Sequence, residues 1–123
     1  MRILAIDYGL RKIGLAYSEG YLSEPLKVID HKNWELEIKK ICREKAVEKI
    51  IVGITEGTLA REQKDFAQRL EDLTQLPVEF QDETLTTQDA LAKMRQIGKR
   101  VKEEDAIAAA LILDAYLERQ GNV

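Results

Sequence analysis

Three short strand-like segments in this chain, the first two of them apolar, each lead into a carboxylate, and helical periodicity recurs between them. Arg2 to Asp7 stops at Asp7, Lys49 to Ile54 leads to Glu56, and Pro77 to Gln81 is followed by Asp82 and Glu83. The middle run is β-branched and bounded by Gly53 and Gly57, the signature of a strand buried on both faces. Trp34, Ile38, Ile41 and Cys42 recur at i, i+4, i+7 and i+8, so an amphipathic helix follows Asn33, a natural N-cap. A second helix presents Leu59, Gln63, Phe66, Ala67, Leu70 and Thr74 on one side. Ile13 to Tyr17 reads as a strand joined tightly to the first through Tyr8 to Lys12, and Leu26 to Ile29 as a third. Thr86-Thr87-Gln88-Asp89 resembles a capping box, and Lys102 to Arg119 forms a last helix whose alanine and leucine stretch should be buried. The order β-β-β-α-β-α-β-α-α predicts an α/β fold. Its mixed five-stranded sheet has strands 1, 2 and 3 antiparallel, strands 1, 4 and 5 parallel, and helices on its flanks.

Length and composition narrow the function classes. At 123 residues and 45% hydrophobic, with no repeat or low-complexity tract, residues 1–123 read as a single domain able to bury its own core. The single cysteine, Cys42, forms no internal disulfide and fits a reducing compartment. The longest apolar run, Ala106 to Leu113, falls far short of the ~18 residues of a membrane span, and Asp7 interrupts the N-terminal run too early for a signal peptide. A cytoplasmic protein with no membrane partner is expected. Nineteen basic and 22 acidic side chains leave a net charge of −3, so a polyanion would need a local basic cluster or a bound metal.

The acids supply the second. In an open α/β sheet the carboxyl ends of parallel strands share one edge, which places Asp7 and one or both of Asp82 and Glu83 along a common crevice. Asp82 and Glu83 have opposite strand parity, so one of the two faces the site. Crowded carboxylates repel unless a cation neutralises them, and hard oxygen ligands suit Mg²⁺ or Mn²⁺. Such a centre can hydrolyse phosphodiesters. Lys93, Arg95, Lys99, Arg100 and Lys102 put five cations in ten residues just before Asp105. A charge run is usually a solvated face, but this one is placed to hold a phosphate backbone, as are Arg11 and Lys12 after Asp7. Other polar residues have ordinary explanations. Asp114 lies on the helix face opposite Asp105, Glu56 reads as an acid at a helix start, His31 as a loop residue, and Trp34 and Cys42 as core.

Taken in order, these segments resemble a known family. Ile6-Asp7-Tyr8-Gly9 with Arg11-Lys12-Ile13-Gly14-Leu15-Ala16, Ile51-Val52-Gly53, Leu76-Pro77-Val78, Asp82-Glu83-Thr84-Leu85-Thr86-Thr87 and the run from Asp105 to Leu113 are similar to the YqgF family. Its members are described as bacterial pre-16S ribosomal RNA nucleases or as Holliday junction resolvase-like. The resemblance implies an RNase H-like fold and a metal-dependent nuclease that processes the 5′ end of precursor 16S ribosomal RNA with Mg²⁺ or Mn²⁺. It implies an acidic triad of Asp7, Glu83 and Asp105, a structured RNA or branched DNA partner, and a monomer or weak homodimer. Two departures bear on substrate. Thr84 stands where the family usually has arginine, and the loop after Gly53 is about six residues short. A resolvase of branched DNA, working as a symmetric dimer, is the nearest alternative. A non-catalytic RNA- or ribosome-binding module is another. A nucleotide-handling ATPase would need a second such domain.

Overall fold

The structure, a computed structural model, describes residues 1–54, 60–82 and 104–121. Strands β1 (Ile3–Asp7), β2 (Lys12–Ser18) and β3 (Ser23–Asp30) come first, followed by a 3₁₀ turn at His31–Asn33. Helix α1 (Trp34–Glu44), strand β4 (Lys49–Ile54), helix α2 (Ala60–Thr74), strand β5 (Val78–Asp82) and helix α3 (Glu104–Arg119) complete the described elements. The sheet order is β3-β2-β1-β4-β5, with β1, β2 and β3 antiparallel and β1, β4 and β5 parallel, as the element order predicts. The expected capping box at Thr86 to Asp89 and the start of the last helix at Lys102 lie outside the described residues.

Alternation along the strands divides the core in two. Leu4, Ile6, Ile13, Leu15, Ile50 and Val52 face α1 and α2, where they meet Trp34, Ile38, Ile41, Phe66, Ala67 and Leu70. Ile3, Ala5, Ala16 and Ile51 face the other way, onto Ala109, Ala110, Ile112, Leu113, Tyr116 and Leu117 of α3. Strands covered on both faces must be apolar throughout, which is why β1 and β4 read as continuous hydrophobic runs rather than alternating ones. Small side chains on the α3 face bring that helix close to the sheet.

Three local expectations are revised. Strand β3 runs from Ser23 to Asp30 rather than from Leu26 to Ile29. Its hydrogen bonds to β2 continue through an irregularity at Leu15/Ala16, and an edge strand tolerates Pro25 and alternating exposed charges. Asn33 precedes α1 but makes no side-chain cap hydrogen bond, because the 3₁₀ turn already leads the chain into the helix. Cys42 is half-buried at the rim of the first core rather than within it.

Candidate active site

Asp7 is the last residue of β1, half-buried, and shares its parity with Ile3 and Ala5. It therefore belongs to the sheet face covered by α3. Directly across from it in β2 is Gly14. A Cβ on Gly14 would run into the backbone carbonyl of Asp105 and lie 2.9 Å from the Ala106 nitrogen. The missing side chain lets the first turn of α3 rest against the sheet, and so seats Asp105 next to Asp7. A glycine inside a strand often marks such a close backbone approach. Asp105 is itself half-buried. Two carboxylate residues 98 positions apart in sequence thus converge through one contact between backbones.

The row continues on the far side of Asp7. Gly53 follows Val52, the β4 partner of Ile6, and pairs in turn with Gln81 of β5. Across the α3-facing surface the row reads Gly14, Asp7, Gly53, Gln81. Gln81 is 9% exposed. Its Nε2 donates to the Asp82 carbonyl at 3.4 Å, whereas its Oε1 is buried and has no hydrogen-bond partner among the described residues. Asp82 pairs with Ile54 and has the parity of Val52 and Phe80, on the α1/α2 side. Asp82, the last residue of β5, is therefore not on the face of Asp7.

The turn after Asp7 is fixed from both ends. A Cβ on Gly9 would strike the Lys12 carbonyl, so glycine permits the tight return into β2. Tyr8 points to the first core, its ring 4.5 Å from that of Phe66. Burial, reinforced by the Glu62 carboxylate, holds the Tyr8 phenol above its usual pKa. As a protonated hydroxyl it can donate to Nε2 of His31, 3.1 Å away. His31 thus braces the turn, and its own amide donates to the Arg11 carbonyl at 3.0 Å. Arg11 and Lys12 are exposed at the same end of the sheet, Lys12 lying 3.6 Å from Asp30.

Asp114 is exposed, as its helix position predicts, and accepts a hydrogen bond from the Ser23 hydroxyl. Glu83, Glu56 and the cluster Lys93, Arg95, Lys99, Arg100 and Lys102 lie outside the described residues. Among the described residues no three histidine, cysteine or acidic side chains gather as a metal site, Asp7 and Asp105 being two. A cleft of about 610 Å³ opens at the other end of the sheet, where Lys49 is committed to Glu79 at 2.6 Å and to the Tyr116 hydroxyl at 3.0 Å. The Asp7 end offers hard oxygen donors of the kind a divalent cation takes. Two hard carboxylates lie at a shared edge, close approach is enforced by Gly14, and an unpartnered carboxamide oxygen sits in the same row. These residues fit Mg²⁺ or Mn²⁺. Sequence reasoning singled out Asp7 and Asp105 but not Gly14 or Gln81. Gly14 was signalled as a glycine that interrupts an otherwise apolar strand, whereas Gln81 stands among other polar residues of β5 and had no such signal.

Comparison with known proteins identifies the family and the fold. A family model described as "RuvX: Holliday junction resolvase" matches residues 1–119. A protein of Syntrophomonas wolfei named "Putative pre-16S rRNA nuclease" is 35% identical, covering 96% of this chain and 94% of its own length. A Syntrophus aciditrophicus protein of the same name is 37% identical over 96% of this chain and 89% of its own. Among solved structures, Thermus thermophilus RuvC in complex with a Holliday junction substrate superposes with a TM-score of 0.61 at 17% identity, covering 99% of this chain and 97% of that one. The fowlpox virus Holliday junction resolvase gives 0.62 at 15%, covering 98% and 99%. At these identities the structural likeness establishes the RNase H-like fold.

Proposed function

The chain belongs to the RuvX Holliday junction resolvase family and is a nuclease, a hydrolase of phosphodiester bonds; from that premise we propose that it acts on precursor 16S ribosomal RNA at the Asp7 end of its sheet. The observation that carries this reading is the seating of the Asp105 backbone on Gly14, directly across from Asp7. Two acidic residues from distant segments are thereby brought to one sheet edge, where a cation could offset repulsion between their carboxylates. Asp7, Asp105 and Glu83 would hold Mg²⁺ or Mn²⁺. Asp82 has the parity of the α1/α2 face, so Glu83, the acid the family resemblance implies, is taken rather than Asp82 as the third ligand.

A bound divalent cation would supply Lewis-acid polarisation of the scissile phosphate and lower the pKa of nearby water. The chain's own residues orient the substrate. Arg11 and Lys12, exposed beyond Asp7, would contact phosphates, and the cations Lys93, Arg95, Lys99, Arg100 and Lys102 would add further phosphate contacts. The Tyr8–His31 contact keeps the turn after Asp7 from moving as substrate enters. Residues 1–123 would act as one domain, in the cytoplasm, as a monomer or weak homodimer. Among the described residues no helix is long and apolar enough to cross a membrane.

The family's description favours a second substrate, branched DNA, which would call for a symmetric dimer. Cleavage of a structured precursor-rRNA fragment and of a four-way DNA junction, side by side with Mn²⁺ or EDTA, separates the two. Asp7→Asn should abolish cleavage of the preferred substrate while leaving the melting temperature near that of the wild type. Undiminished cleavage by this variant would sink the site assignment. Folded wild type inactive on both substrates would make the chain a binding module.

A further inference from the structure

The one buried side-chain acceptor left without a partner among the described residues is Oε1 of Gln81, and it stands in the row that contains Asp7. Leaving such an oxygen unpaired is costly, and native structures keep few of them. The position does not require a polar side chain for folding. Of the other buried residues on this sheet face, Ile3, Ala5, Ala16 and Ile51 are apolar and Ser18 has its hydroxyl oxygen satisfied by the Gly20 amide, and methionine at position 81 would fill nearly the same space as glutamine. Its amide is not free to exchange oxygen and nitrogen. The Nε2 end meets the Asp82 carbonyl, where an oxygen would be repelled. The oxygen is therefore the unpartnered end of the amide.

The sheet fixes where it stands relative to the acids. Helix α3 approaches from the β2 side, with Asp105 over Gly14. Gln81 is on the opposite side of Asp7, two strand spacings away with only Gly53 between. That is a span of about 10 Å between backbones. Gly53 brings no side chain into this interval. A carboxylate on one bank and a carboxamide on the other leave room between them for a cation and its hydration shell.

We propose that Gln81 is a positioning residue of the divalent-cation site, its neutral Oε1 accepting a hydrogen bond from the hydration shell of a cation held by Asp7 and Asp105. The inference rests on the proposed reading of those acids. A neutral acceptor suits this role. It orients the shell without adding a further negative charge to a set that already carries at least two. Outer-shell partners of this kind commonly change metal affinity by about 10–100-fold when removed.

The test is Mn²⁺ binding by titration calorimetry, with melting curves in EDTA and in Mn²⁺, on wild type, Asp7→Asn, Gln81→Met and Gln81→Glu. Wild type should bind Mn²⁺ and Asp7→Asn should lose that binding. Gln81→Met should bind about tenfold more weakly, yet melt several degrees higher than wild type in EDTA, because the unpaired acceptor is gone. Gln81→Glu, which offers a charged oxygen at the same reach, should restore or tighten binding. A residue that merely fills space would show neither the opposite signs of the two Gln81→Met readouts nor rescue by glutamate. Wild-type affinity in Gln81→Met overturns the inference alone. Absence of Mn²⁺ binding by wild type overturns the reading of the acids beneath it, and the inference with it.

Discussion

Replacing Gly14 with alanine adds a single methyl group, and in most strands that change would stabilise the protein. Glycine within a strand costs about 0.5–1 kcal/mol relative to alanine through its extra freedom in the unfolded chain. Here the sign should reverse. The new Cβ would meet the Asp105 carbonyl and lie 2.9 Å from the Ala106 nitrogen, all backbone atoms of α3 that no rotamer change can withdraw. Relieving the nitrogen alone requires about 0.5 Å of movement to reach ordinary contact distance, and the carbonyl requires more. Overpacking of this kind costs roughly 1–3 kcal/mol. After the propensity gain a net loss of about 1–2 kcal/mol remains. For a chain of this length that is a fall in melting temperature of roughly 4–8 °C.

The larger consequence falls on Asp105, which rides on the displaced turn. A shift approaching 1 Å in a catalytic group costs on the order of 10²-fold in rate. Gly14→Ala should therefore remain folded at 25 °C and cleave about a hundredfold more slowly, with Mn²⁺ affinity reduced in parallel. Thermal melts, circular dichroism and single-turnover cleavage at 25 °C check this. A variant that melts at or above wild type and cleaves normally would refute both the close packing of α3 on β2 and the dependence of the site upon it.

Other changes separate the site from the scaffold. Lys49→Met breaks the 2.6 Å ion pair with Glu79 and the 3.0 Å hydrogen bond with Tyr116 at the far end of the sheet. Since the Glu79 side chain is 41% exposed, the loss should be only about 1 kcal/mol, with cleavage unchanged well below the melting point; denaturant titration and a rate assay check both. Burial pushes the Cys42 thiol up to about 11 from its usual 9. The native protein should therefore react slowly with iodoacetamide at pH 8, and urea should release the reactivity. Because folding favours the protonated thiol, its contribution to stability is complete below pH 9 and fades as pH rises from 9 through 11, so Cys42→Ala should flatten that part of the wild-type stability profile. Lys99→Gln combined with Arg100→Gln should weaken substrate binding and reduce the slope of log Kd against log salt by about 0.7–0.9 for each phosphate no longer neutralised, as read by filter binding.

Strand positions were legible because burial on both faces leaves no polar choice. The runs at Ile3 to Ile6 and Lys49 to Ile54 could be little else. Helices α1 and α2 were equally plain from Trp34, Ile38 and Ile41 and from Phe66, Ala67 and Leu70, since each packs one stripe against one sheet face. The ends of β3 were not, because an edge strand alternates weakly and its extent is set by what β2 offers it. The N-cap role assigned to Asn33 failed for a related reason, the preceding turn being fixed by contacts elsewhere.

The sequence alone determined that Asp7 ends a central strand and that its neighbours in the chain are a turn and cations, because these follow from local pattern and short-range chemistry. What only the tertiary structure decided is which distant groups join it. Asp105 reaches Asp7 through the empty Cβ of Gly14, and Gln81 enters the same row because of the register between β4 and β5. Neither relation is written in spacing along the chain. Each depends on how closely two backbones can approach, and that is settled only when the elements pack.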